Sequence, residues 1–145
     1  MRRDSRGQAL VEFALVLPVL ILVLTAVFDL ARVVSISSTL DSAVREGTRY
    51  AIVHGEMSTS PVGPGTATYT APDRDSAVEA IVRDAAVATP SDLAVRVTWP
   101  DGNNRRNSRV IVTATASYTP ILSAAILGGG LRVPLSASSR LPIQN

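Results

Sequence analysis

The sequence predicts an α+β protein, with one long N-terminal helix packed on a small antiparallel β-sheet. Three observations lead there. An uncharged aliphatic run from Phe13 to Phe28 is too long for a strand. A stripe of small and apolar residues at helical spacing continues well past that run. The last third of the chain then changes period, to alternation of two.

The chain has 145 residues, enough for one domain and an extra element. It opens on MRRDSRG, where Arg2, Arg3 and Arg6 against Asp4 carry a net +2, the whole formal charge of the chain. The apolar run follows, broken only by Pro18 and Thr25. Counted from Gln8 to Phe28 it is about 21 residues, roughly 31 Å of helix and long enough to cross a bilayer. Three readings fit this opening. A secretory signal peptide needs a small-residue cleavage site, and Phe28-Asp29-Leu30-Ala31-Arg32 is a poor one. A plain anchor needs Glu12 to be tolerated at the edge of lipid, where it could snorkel to water. A leader cut off before the apolar run, with the run retained, explains Glu12 directly. A cut between Gly7 and Gln8 would create a positive α-amine at Gln8. Glu12 would then stand one helical turn away on the same face, where its carboxylate also complements the helix dipole. Glycine before the bond lets a protease approach the backbone closely. Pro18 removes one helical hydrogen bond and implies a kink or a point of local melting.

Helical periodicity continues beyond Phe28. Asp29 and Arg32 are three apart and can pair; Asp41, Arg45 and Arg49 step by four along one face. Leu40, Ala43, Val44, Gly47, Ala51 and Ile52 form the opposing stripe, and Gly55 is a candidate C-cap. The sequence thus predicts a single helix over about residues 8–54, roughly 70 Å long. Arg45 and Arg49 are expected on a solvated face, with a subunit contact as the alternative. His54, the sole histidine, lacks partners for a metal site and is expected simply to end the helix.

Residues 58–66, rich in proline, glycine and hydroxyls, read as a loop. Pro72, Asp73 and Asp75 mark a helix start, and small or apolar residues continue to about Ala88 before Pro90 stops them. Leu93, Val95, Val97 and Trp99 alternate with polar residues as a first strand; Pro100 to Asn104 is a turn. Val110, Val112, Ala114, Ala116 and Tyr118 alternate as a second strand, completing a hairpin whose loop carries Arg105, Arg106 and Arg109. The stretch PILSAAILGGG, residues 120–130, is a hydrophobic connector too short to span a bilayer, placed at the sheet edge or an interface. Leu131 to Arg140 is a third strand, and Pro134 favours an edge position or a bulge there. Three strands cannot enclose a core alone, so the second half of the long helix must form the other layer.

Two segments resemble a known family. Arg6-Gly7-Gln8-Ala9-Leu10-Val11-Glu12-Phe13-Ala14-Leu15-Val16-Leu17-Pro18 is similar to the opening of TadE-like proteins, the pseudopilins or minor pilins of tight-adherence (Tad) pili, a branch of the type IV pilus superfamily. Arg45 to Ala51 resembles the end of that family's long helix. The resemblance runs from about Gly7 to Val53 and continues weakly over residues 110–140; residues 55–90 carry no family motif. It implies a pilin-like fold in three parts: a prepilin-type leader (1–7), a transmembrane and assembly helix half (8–28), and an extracytoplasmic domain (29–145). It implies processing at Gly7–Gln8 by a prepilin peptidase, with Glu12 and the adjoining Phe13 serving assembly. Its implied partners are other Tad pilins and the membrane assembly platform. It implies single-pass placement in a bacterial inner membrane with the N-terminus cytoplasmic, in keeping with the basic leader, and leaves a place in a surface pilus open. An uncleaved anchored protein with an extracytoplasmic binding domain, and a secreted β-rich domain, remain as alternatives.

No enzyme is expected. The absence of cysteine excludes thiolate nucleophiles and thiolate metal sites, the one histidine is expected to end the helix rather than act as a base, and no glycine-rich phosphate loop opens a helix. No cofactor is expected, and no nucleic-acid partner, since basic residues and aromatics do not interleave.

Overall fold

A computed structural model describes residues 5–64, 67–70, 76–86, 92–128 and 130–144. Helix α1 runs unbroken from Ser5 to Val53 with Pro18 inside it, 49 residues and about 73 Å. Its two halves have opposite surroundings. Between Gly7 and Phe28 no residue is buried; Asp29 is the first that is. Past it, Ile36, Leu40, Ala43, Val44, Gly47, Thr48, Ala51 and Ile52 are buried in succession, which is the stripe the sequence predicts, widened by Ile36 and Thr48. The Thr48 hydroxyl is satisfied by donating to the Val44 carbonyl at 2.6 Å.

The rest of the chain forms strand β1 (Ala67–Thr70), helix α2 (Ala77–Ala85), strands β2 (Ala94–Thr98) and β3 (Arg109–Tyr118), helix α3 (Ile121–Leu127) and strand β4 (Val133–Pro142). The sheet order is β1-β2-β3-β4, every pair antiparallel. Along β3, Val110, Val112, Ala114, Ala116 and Tyr118 are buried. Ile111, Thr113, Thr115 and Ser117 point to the other face, so the period-two pattern gives the correct register. The three expected strands are present, with β4 at an edge where Pro134 needs no further partner.

Three elements differ from the sequence prediction. The short β1 extends the sheet by a fourth strand. The connector at 120–130 contains a helix, α3, closed by Gly128 in the left-handed conformation (φ 64°), whose N–H donates to the Ser123 carbonyl. Helix α2 is capped by Ser76, whose hydroxyl accepts from the Glu79 N–H at 3.1 Å; the expected start at Pro72, Asp73 and Asp75 and the stop at Ala88 to Pro90 lie outside the described residues.

The core lies between the sheet and a layer made of α1 and α2, with Leu40, Val44, Val78, Val82, Val95, Val97, Val110 and Val112 at most 1% exposed. Helix α2 seats its valines on α1 at Gly47. A Cβ at that position would overlap the Val82 side chain and lie 3.5 Å from Val78, so glycine is what lets the helices approach. Glu79 is fully buried on the same helix and pairs with Arg83, whose guanidinium also donates to the Leu93 carbonyl at 3.1 Å.

Long-range polar contacts pin both ends of the soluble half of α1. At its C-terminal end the Asn104 amide donates to the carbonyls of His54 (3.2 Å) and Val62 (2.6 Å), and the Gln144 N–H donates to Ile52. These satisfy carbonyls that the last turn leaves open; Gly55, the expected C-cap, does not adopt the left-handed conformation. At the other end Asp29 accepts from the Tyr118 hydroxyl (2.7 Å) and the N–H groups of Ile121 (2.9 Å) and Leu122 (3.1 Å). The structure therefore gives the hydrogen bonds of Asp29 to β3 and α3, and Arg32 acts on it only as the weakest of the charge and hydrogen-bond partners that lower its carboxyl. Burial first, then the bond to Asp29, raises the Tyr118 phenol above its ordinary pKa and keeps it a donor.

Candidate processing and assembly site

The first turns of α1 carry the residues that sequence reasoning selects. Gly7 and Gln8 lie in the helix, exposed, and a Cβ built at Gly7 meets nothing within 4 Å. Nothing elsewhere in the described residues packs against that position. Gly7, Gln8, Val11, Glu12 and Leu15 share one shallow surface hollow, while Ala9, Glu12, Phe13 and Val16 line its neighbour. Glu12 thus stands between two apolar hollows and shares the first with Gln8, as the four-residue spacing requires. Its carboxylate is exposed and makes no hydrogen bond or ion pair among the described residues. Phe13, Leu15, Val16, Val19 and Leu20 are each more than half exposed, so the charge sits at the head of an uncovered apolar rod.

The other charged candidates are occupied elsewhere. Arg45 and Arg49 lie on an open groove with Ser42, Glu46, Tyr50, Val53 and Ile81, on the face away from the buried stripe. Arg105 pairs with Glu56 at 3.1 Å. Arg109 pairs with Asp101, which also accepts the Arg109 backbone N–H at 2.8 Å. That doubly bonded arginine holds the Asp101 carboxyl down at about 2. Two of the three loop arginines are therefore tied within the fold. The His54 ring stacks on Tyr50 at 3.8 Å between centroids and donates from Nδ1 to the Tyr50 carbonyl. Among the described residues no group of three or more histidine, aspartate or glutamate side chains could hold a metal.

Sequence reasoning missed Asp29 and Asn104 as the two anchoring residues of the helix. A signal existed for α2, since Ser76-Ala77-Val78-Glu79 has the spacing of a capping box. For Asp29 and Asn104 no local signal exists, because their partners lie 89–93 and 42–50 residues away.

A pilin-like α+β protein is what this arrangement defines: a long helix, half bare and half packed on an antiparallel sheet, with α1 apolar enough over its first half to cross a membrane. The bare half bears the glycine–glutamate pair. Residues 7–49 match the family model of TadE-like proteins, so the helix from the candidate cleavage bond to its buried end is TadE-like. The match ends before β1. No curated protein and no solved structure matches the chain. The TadE-like segment thus coincides with the helix that is long and apolar enough to cross a membrane.

Proposed function

We propose that the protein is the precursor of a minor pilin, or pseudopilin, of a Tad-like pilus or secretion apparatus. A prepilin peptidase cuts between Gly7 and Gln8, and the retained helix packs beside the helices of other Tad pilins. The observation that carries this reading is Glu12, a carboxylate with no partner among the described residues on a bare apolar helix, about 6 Å in rise from the backbone nitrogen that cleavage turns into an amine. An amine, its own or a neighbour's, offsets the several kcal/mol of cost that an unpaired carboxylate meets at the edge of lipid. Gly7 serves the cut in two ways. It leaves the bond uncovered, and it weakens the first helical turn by about 1 kcal/mol relative to alanine, so the chain can open into a protease.

The leader stays cytoplasmic, residues 8–28 span the inner membrane, and residues 29–145 form an extracytoplasmic domain. The protein works by helix association and surface contact, not catalysis, in priming the filament, capping its tip or aiding the assembly platform. Release of a soluble domain by a cut near Ala31 is disfavoured. It would remove Asp29 and leave the Tyr118 hydroxyl and two α3 N–H groups without their acceptor.

The test is Glu12→Ala, followed by membrane fractionation and by electron microscopy of pili. The variant is expected to remain in the membrane fraction and to lose pilus assembly. Wild-type piliation would remove the amine-pairing role and favour an uncleaved single-pass anchor.

A further inference from the structure

We infer that the corner formed by α3 and the residues leading into β4 rests in the interface of the lipid bilayer, seating the globular domain on the membrane rather than holding it clear. This rests on the reading that the first half of α1 spans the membrane.

The level of the corner is fixed by Asp29. Every residue of α1 from Gly7 to Phe28 lacks burial, and Asp29, the next residue, is where the globular domain begins. Its carboxylate holds the N–H groups of Ile121 and Leu122 within 3.1 Å, so α3 starts at the height where the apolar span ends. The sheet runs away from that level. Tyr118 pairs with Val133 beside α3, while the opposite end of the same ladder pairs Arg109 with Pro142. There Gln144 reaches Ile52 near the end of α1. Ten residues of β4, about 33 Å, match the roughly 35 Å of helix from Asp29 to Ile52. The domain therefore has a near end and a far end along α1.

The two ends differ in chemistry. The far end carries Glu56, Asp101, Arg105 and Arg106, all exposed. The near end carries α3, whose sequence ILSAAIL has no charge, with Ile121 47% and Leu131 52% exposed, and the Phe28 and Leu30 side chains that flank Asp29 along α1 are uncovered as well. These apolar groups continue the span's uncovered surface sideways, as an element lying in the plane of a membrane does. Arg32 lies near Asp29 and Arg132 near Asp92, both arginines exposed, so two cationic groups stand at this end of the domain, where lipid phosphate would meet them. The occupant is thus the phospholipid leaflet on the domain's side. Asp29 is the positioning residue that sets the height and tilt of the domain.

The chain has no cysteine, so single-cysteine spin labels report depth without background. Full-length protein in phospholipid nanodiscs would carry a label at Leu20→Cys, Ile121→Cys, Leu131→Cys or Met57→Cys, each an exposed position. Collision with molecular oxygen and with a water-soluble nickel chelate would then be measured. The labels at 121 and 131 are expected to show several-fold lower nickel and higher oxygen accessibility than the label at 57, at a depth between those at 57 and 20. Nickel accessibility at 121 and 131 equal to that at 57 would overturn the inference while leaving a lipid-buried Leu20 and the spanning reading intact. Shielding from both reagents would overturn it in favour of a second copy of the chain on this corner. A nickel-accessible Leu20 would overturn the span itself, and the seat with it.

Discussion

Replacing Gly47 by alanine tests how α2 is held on the TadE-like helix. In an open helix the change would stabilise by about 1 kcal/mol through propensity alone. Here the added Cβ overlaps the Val82 side chain, which is fully buried and, being branched at Cβ, has few rotamers in a helix. Overpacking of that kind costs about 1–3 kcal/mol. The balance is a net destabilisation of up to about 2 kcal/mol. Val82→Ala alone removes two buried methyl groups, at about 0.8 kcal/mol each before any cavity cost. In the double variant the new methyl at position 47 occupies part of the space that Val82 vacates. The two costs should therefore fall short of their sum by about 1–3 kcal/mol, the overlap that is relieved. The assay is urea unfolding of the full-length protein in detergent micelles, followed by fluorescence of Trp99, the single tryptophan. Gly47→Ala stabilising by about 1 kcal/mol, with additivity within about 0.5 kcal/mol in the double variant, would refute the close approach.

Other outcomes follow from the same contacts. Leu40→Ala, at a fully buried position, should destabilise the domain by about 2–5 kcal/mol in the same assay. Asn104→Ala removes the amide that bonds His54 and Val62, and should raise hydrogen exchange at Val62 and in the last turn of α1 before it affects β3. Asp101 is held down at about 2 by Arg109, and Asp92 is lowered by its bonds to Ser117. The Asp101 contribution is complete above the ordinary carboxylate pKa of about 3.9 and is lost as pH falls from there toward 2, and that of Asp92, lowered in the same direction, is also lost on the acid side of the ordinary value. Acid titration followed by Trp99 emission should show unfolding in that window, and Asp101→Asn should flatten it.

Much of the architecture was legible because it rests on local periodicity. The alternation from Val110 to Tyr118 and the stripe from Leu40 to Ile52 each report one buried face, and burial matched both residue by residue. The candidate site was legible for a related reason, since Gly7, Gln8 and Glu12 lie within two helical turns. What was not legible depends on contacts across the chain. Asp29 looked like an i,i+3 partner for Arg32, yet three donors from beyond residue 117 hold it, because a carboxylate entering a buried junction needs several hydrogen bonds and α3 offers two open N–H groups. The alanines and leucines of 121–127 fit a connector or a helix equally well by composition, and Gly128 became a cap only once the chain had turned there. Strand β1 is four residues of threonine, alanine and tyrosine after a proline- and glycine-rich loop, and its place is decided by pairing with β2.

The central claim is that cleavage beside Gly7 creates the amine that Glu12 needs. Mass spectrometry of the mature N-terminus, on protein made with and without the prepilin peptidase, tests it most directly. The account predicts a chain starting at Gln8 only when the peptidase is present. A start at Met1 or Arg2 in both samples would contradict it and leave Glu12 as an interfacial residue of an uncleaved anchor.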